Sequence, residues 1–250
     1  MELTYALLAT FGVSLVSLVG ITLAATTLRE HLELRLVSFA AGVLLATTFL
    51  ELLPEAIHES DGNTDIFIAS LAAMVTFFFI ERLLHGFHRH QGHESHVRHH
   101  SSSGQLILIG DGVHNFVDGV AIGAAFLVDS TLGVATTVAV LAHEIPHEFA
   151  DYGILVQSGF SRGRALFYNF LSGLTSVLGA ASVFLLGDFA EDNIAVLLAA
   201  SAGMFIYIAA ANLIPELHHQ RVKARFVYGT PFVAGIALIA VLTQLLFGDH

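Results

Sequence analysis

The chain has 250 residues, 55% of them hydrophobic and only 12% charged, and carries a formal net charge of -11. A soluble domain carries about 25% charged residues, so this composition excludes an ordinary soluble protein, and the acidic balance argues against a nucleic-acid partner. There is no cysteine, which removes disulfides and thiolate metal ligands, while the fifteen histidines call for an explanation.

Apolar runs of about 20 residues recur from end to end, the mark of a polytopic membrane protein. Eight spans are predicted, at 4–28, 34–57, 64–84, 104–128, 131–157, 164–187, 192–216 and 229–247, with no soluble domain, so that 1–250 forms one transmembrane unit. Every backbone group in hydrocarbon must bond internally, which makes each span a helix and the fold class all-α.

The first span lacks a basic n-region and a small-residue cleavage site, and reads as a span rather than a cleaved signal. The second ends in "FLELLPEAIHE" (49–59), where Pro54 stands between Glu51 and Glu55 as gating or interfacial carboxylates. The third carries "TFFFIERLL", a lipid- or bundle-packing surface with an interfacial pair, Glu81 and Arg82. A His-rich loop follows at 85–103, polar and without apolar periodicity; it is expected to be disordered and to bind metal weakly, or to be a plain linker.

The fourth span contains "GDGVHNFVDG" (110–119). Asp111, His114 and Asp118 fall at i, i+3 and i+7 on one helical stripe, with Asn115 about 100° round. The fifth contains "LAHEIPHEFADYG" (141–153). His143 and His147 fall at i, i+4 and continue to Asp151, with Glu144 and Glu148 on the adjacent stripe. Pro146 cannot donate to the carbonyl of Ala142, so a kink and a free backbone oxygen beside His143 are expected. The seventh span holds "AANLIPELHH" (210–219), a faint echo of the second in the opposite sense, as an inverted repeat would give.

The loops set orientation. All ten basic residues (Arg29, Arg35, Arg82, Arg89, Arg98, Arg162, Arg164, Arg221, Lys223 and Arg225) fall on one side of the predicted spans. Glu2, Glu59, Asp61, Asp65, Asp129, Asp188, Glu191, Asp192 and Asp249 fall on the other. By the positive-inside rule the basic side is cytoplasmic and both termini face out.

Ionisable residues inside a membrane are costly and normally face a partner, a cavity or a pathway. Two adjacent helices here each offer a His and a second N/O group one turn apart. His114, Asp118, His143 and His147 would suffice for a tetrahedral or open octahedral site; the bland alternative is that acids and histidines pair to tie the bundle together. Imidazole with carboxylate suits zinc, ferrous iron or manganese, and the lack of thiolate argues against cuprous ion.

Three functions stay open at this stage. His143-Glu144-Ile145-Pro146-His147 matches HExxH, the pattern of a zinc protease, although Pro146 interrupts the helix that motif needs. A divalent-cation transporter or channel would use intramembrane ligands with carboxylates near both mouths. A divalent ion moving inward at 100 mV gains roughly 4.6 kcal/mol, from about 2.3 per charge, and the sequence has no phosphate-binding loop. A non-transporting metal sensor is the third reading.

"HNFVDG" and "HEIPHE" in consecutive spans resemble the paired signatures of the ZIP (ZRT/IRT-like) metal transporters, of the branch with HExPHE in the fifth span. "NLIPEL" in the seventh and a His-rich loop after the third extend the likeness over nearly the whole chain. The resemblance implies carriage of zinc, or of iron, manganese or cadmium, toward the cytoplasm as substrate, with no catalytic cofactor and no enzymatic activity. It implies primary ligands His114, Asp118, His143 and His147, and secondary ones Asn115 and Glu144, with Asp118 and His147 bridging. Some members add a glutamate from the sixth span; Ser176 stands there in this chain, and His147 stands where many bacterial members have a glutamate. Both departures remove negative charge and point to one principal metal with a weaker transit position. The resemblance also implies movement of spans one, four, five and six against the rest, with Gly119, Gly123, Gly173 and Gly179 permitting close helix contact. It implies a homodimer as well. A short chain without an ectodomain fits a prokaryotic inner membrane.

Overall fold

A computed structural model describes residues 1–27, 30–89, 100–218 and 222–247, and every regular element among them is helical. Helix α1 (Glu2–Thr27) is followed by α2 (Glu30–Thr47), which passes through a π-helical turn, Thr48–Leu52, into α3 (Leu53–Glu59). A turn with Asp61 and Gly62 at positive φ leads to α4 (Ile66–Arg89). Then come α5 (His100–Val128) and α6 (Ser130–Gln157), followed by α7 (Arg162–Gly173) and α8 (Thr175–Leu185), which are parted by Leu174. After the short α9 (Asp188–Asp192), α10 (Ile194–Tyr207) runs through a second π-helical turn, Ile208–Leu213, into α11 (Ile214–His218); α12 (Val222–Phe247) closes the bundle. The predicted His-rich loop falls mostly on residues 90–99, outside the described residues.

Among the described residues, six segments are long and apolar enough to cross a membrane: Glu2–Val19, Leu34–Glu59, Ile66–Leu83, Arg162–Leu185, Ile194–Leu213 and Tyr228–Leu245. Helices α5 and α6, of 29 and 28 residues, exceed the length of a span, but their apolar runs are interrupted by the acids and histidines singled out in the sequence.

Both π-helical turns have the same cause. Pro54 and Pro215 lack an N–H and would press on the carbonyl four residues back. The chain widens by one residue just before each, so that Leu53 N–H bonds Thr48 O and Ile214 N–H bonds Ala209 O. The likeness between the two sequence segments therefore extends to the backbone. Helix α3 packs on α10 while α11 packs on α2, so the two copies run antiparallel. Pro146 behaves differently: α6 continues through it without a π turn or a break.

Backbone contact between helices depends on glycine. A Cβ at Gly119 would lie 1.9 Å from the Ser176 carbonyl oxygen, and one at Gly179 would lie 2.0 Å from that of Phe116. Helix α8 is thereby held against α5 at a distance that no side chain permits. Gly42 of α2 meets Phe232 of α12 in the same way, and Gly203 of α10 meets Ser70 of α4.

Candidate metal centre

One residue, Asp129, joins α5 to α6. Its backbone is extended, and its carboxylate caps α6 by accepting from the N–H groups of Thr131 and Leu132. A turn this tight forces the two helices to run back antiparallel, so residues equidistant from Asp129 come level. His114 and Glu144 are each 15 residues away, and Asp111 and His147 each 18. At about 1.5 Å per residue these two levels stand about 22 and 27 Å from the hairpin.

At the nearer level four side chains converge: His114, Asp118, His143 and Glu144, all buried, with one ligand atom from each lying within 4.8 Å of the others. Nε2 of His114 is 3.3 Å from Nε2 of His143 and 3.3 Å from Oε1 of Glu144. Nε2 of His143 is 3.1 Å from Oδ2 of Asp118 and 3.6 Å from Oε1 of Glu144, and His114 stands 3.6 Å from the same Asp118 oxygen. Four ligands about 2.0–2.1 Å from a zinc ion are about 3.3–3.4 Å apart at tetrahedral angles. Five of the six edges of this N2O2 group, at 3.1–3.6 Å, are therefore near tetrahedral spacing, and the sixth, between the Asp118 and Glu144 oxygens, lies within 4.8 Å.

The second atoms of these side chains are ordered too. Nδ1 of His143 is 3.1 Å from the carbonyl of Ala139, which fixes the ring and leaves Nε2 to face the other three. The carbonyl engaged is thus Ala139's, one turn back, rather than the Ala142 oxygen expected to be free. Oδ1 of Asp118 and Oε1 of Glu144 are buried without a hydrogen-bond partner. Buried carboxylate oxygens are costly in that condition unless a cation faces them. Phe77 and Phe205 wall the site, with ring centroids 5.8 Å from His114 and 5.9 Å from His143.

At the farther level Asp111, His147 and Asp151 place ligand atoms within 4.8 Å of one another. The His147 ring lies flat on that of His114, with centroids 4.6 Å apart and planes 7° from parallel. The Asn115 amide donates to the backbone oxygen and Oδ1 of Asp111, at 3.2 and 2.8 Å. Glu144 and not His147 completes the nearer shell, which differs from the division between primary and secondary ligands implied by the resemblance. Ser176 turns its hydroxyl to the Gly173 carbonyl at 2.7 Å and toward Ser14 of α1.

Helix α7 adds residues that the sequence did not mark. Ser172 donates to Oδ2 of Asp111, and Asn169 donates to the Glu148 backbone oxygen at 3.0 Å. Nothing in their spacing distinguishes them from other small polar residues of membrane helices; only the packing of α7 on α5 and α6 brings them here.

Elsewhere, Glu51 is buried and accepts from Thr243 of α12 at 2.7 Å. Glu55 stands 3.6 Å from His58 in a more exposed group with Glu59. Glu81 accepts from Asn212 at 3.4 Å, while Arg82 lies 5.9 Å over the ring of Phe78.

A profile of the family described as ZIP zinc transporter matches residues 2–105 and 88–243. Zinc transporter ZIP6 of Homo sapiens is 41% identical over 115 residues, 46% of this chain and 15% of that protein. Zinc transporter ZIP10 of Homo sapiens is 37% identical over 147 residues, 53% of the chain and 18% of that protein. Metal cation symporter ZIP14 of Mus musculus is 40% identical over 148 residues, 56% of the chain and 30% of that protein. The chain therefore covers less than a third of the length of each of these relatives.

Proposed function

The chain belongs to the ZIP zinc transporter family, and on that premise we propose that it carries divalent metal ions across a lipid bilayer toward the cytoplasm. The observation that supports this most is the buried N2O2 shell of His114, Asp118, His143 and Glu144, with contacts of 3.1–3.6 Å. Zn2+ is the substrate such a shell fits best, with Fe2+, Mn2+ and Cd2+ as others that imidazole and carboxylate accept. Asn115 and His147 flank it, Asn115 by orienting Asp111 and His147 by stacking on His114.

Helices α5 and α6 join the six apolar segments to give eight spans, within a single transmembrane domain over 1–250. Both termini face away from the cytoplasm, and the His-rich loop at 85–103 faces into it and captures arriving metal. The names of the relatives, zinc transporter and metal cation symporter, favour transport over proteolysis. So does the shell, because a hydrolytic zinc site keeps one position for water and here Glu144 fills the fourth. The chain works as a homodimer in a prokaryotic inner membrane, and α1, α5, α6, α7 and α8 move together against the rest.

Radiozinc flux into proteoliposomes tests the proposal, with His114→Ala and His143→Ala as controls. Flux that both substitutions abolish supports it. Undiminished flux in both would remove the site assignment, and Glu144-dependent cleavage of a membrane substrate would replace transport with proteolysis.

A further inference from the structure

On the outer side of the bundle, away from the metal centre, a groove runs between α5 and the α7–α8 pair. We infer that it binds an anionic phospholipid, whose acyl chain lies in the groove and whose phosphate meets Arg164. The inference rests on the chain spanning a membrane and not on the carriage of metal.

The groove has a volume of about 480 Å³. Gly112, Ser172 and Thr175 make its floor; Ile109, Val113 and Phe116 of α5 form one wall, and Tyr168, Leu171 and Leu178 the other. All six wall residues are exposed, Leu178 to 63%. The hydroxyls of the floor are engaged elsewhere. Oγ1 of Thr175 is 2.6 Å from the Gly112 carbonyl and 2.7 Å from that of Ser172, and Ser172 donates to Asp111. Gly112 adds no side chain, so the groove offers a guest hydrocarbon surface and no free polar group.

Length selects the guest. Tyr168 and Leu178 are ten residues apart, and Leu174 between α7 and α8 keeps helical dihedrals. Ten residues cover about 15 Å of helix at about 1.5 Å each, which is half of a hydrocarbon core about 30 Å thick. The groove is therefore one leaflet deep, the reach of an acyl chain and half that of a crossing helix.

Charge selects the head. Arg164, Tyr168 and Leu171 fall at i, i+4 and i+7 of α7 and share its groove face. Arg164 thus stands at the mouth of the groove, one turn beyond Tyr168, whose ring has the amphipathic character of residues at the headgroup level. Arg162 lies about 200° round the helix from it. Arg164 is exposed and, among the described residues, no ion pair engages it. On the proposed orientation this end of α7 is cytoplasmic, where anionic lipids concentrate. An anionic phospholipid answers both features, with hydrocarbon one leaflet long and a phosphate at its end. It also packs on Ser172, the residue that supports Asp111, and so holds α7 against α5.

The test titrates the full chain in detergent with dioleoyl phosphatidylglycerol or dioleoyl phosphatidylcholine and counts retained lipid by native mass spectrometry. The wild type should retain phosphatidylglycerol about five-fold more tightly, the worth of one cation facing an anionic lipid. Arg164→Gln should abolish that preference, Arg164→Lys should keep most of it, and Arg162→Gln should leave it unchanged. Leu171→Trp, which fills the groove from its exposed wall, should lower retention of both lipids. Phosphatidylglycerol should raise the melting temperature of the wild type and not of Arg164→Gln. Equal retention of the two lipids by the wild type, or an undiminished preference in Arg164→Gln, overturns the site. So does efficient disulfide pairing of Leu171→Cys chains in bilayers, which gives the groove to a second copy of the chain.

Discussion

Nε2 of His143 on α6 lies 3.1 Å from Oδ2 of Asp118 on α5, and both side chains are fully buried. The other nitrogen of the same ring is held by Ala139 O on its own helix. Restrained from both sides, the imidazole has one orientation, and that orientation points into the N2O2 shell. A ligand placed this rigidly loses little entropy when an ion arrives.

Replacing His143 by alanine removes one of the two imidazoles of the candidate N2O2 group and leaves Asp118 facing a void. Zinc flux into proteoliposomes should fall at least about 100-fold, since even outer partners of metal ligands are worth about 10–100-fold. A normal elution profile in detergent separates this loss from unfolding.

Glu144 and His147 compete in the sequence for the fourth ligand position. Under the proposed assignment Glu144→Gln should weaken zinc binding by about 10–100-fold, while His147→Ala leaves it within a few-fold. Competition with a zinc-chelating dye measures both. The reverse order would place His147 in the first shell.

The α5–α8 contact tolerates no Cβ at Gly119, which would stand 1.9 Å from Ser176 O. Gly119→Ala should destabilise the bundle by about 1–3 kcal/mol or more, because backbone cannot yield as a side chain does. Gly153→Ala is the contrast: no heavy atom lies within 4 Å of its Cβ position, and helix propensity should make it neutral or better by up to about 1 kcal/mol. Thermal unfolding in detergent distinguishes them.

Thr243 donates the 2.7 Å hydrogen bond to Oε1 of Glu51, whose Oε2 has no hydrogen-bond partner. Thr243→Val strips a buried carboxylate of that bond and should cost about 1–3 kcal/mol, with Thr243→Ser restoring most of it. In the Glu51→Gln background the penalty of Thr243→Val should shrink, and a double-mutant cycle on the melting temperature reads the difference.

Orientation is open to direct measurement because the chain has no cysteine of its own. Single cysteines in place of Asp61 and Ser161 should label from opposite faces of the membrane, Asp61→Cys from outside and Ser161→Cys from the cytoplasm. Labelling of both from one face would remove the assignment of spans and termini.

Much of the site was legible because helical periodicity acts within one element. Asp111, His114 and Asp118 share a stripe whatever surrounds them, and so do His143, His147 and Asp151. The paired prolines were visible, but the π-helical turns before them were not: a proline in a helix can be met by a kink, a break or a widening, and at Pro146 α6 continues with neither a break nor a widening. Ser172 and Asn169 were not legible, because their part depends on α7 packing against α5 and α6.

The sequence by itself determines that the chain is an all-α, membrane-type protein of the ZIP family, with two polar stripes of metal-ligating chemistry on consecutive helices. Only the tertiary structure decides which members of those stripes share a shell. His143 and Glu144 are neighbours in sequence and stand about 100° apart round the helix, so rotation of α6 about its axis selects between Glu144 and His147. That rotation is set by the Asp129 cap that fixes the hairpin register and by the packing of α6 on α1, α2 and α5. Periodicity states which residues lie on a face; only packing states what the face meets.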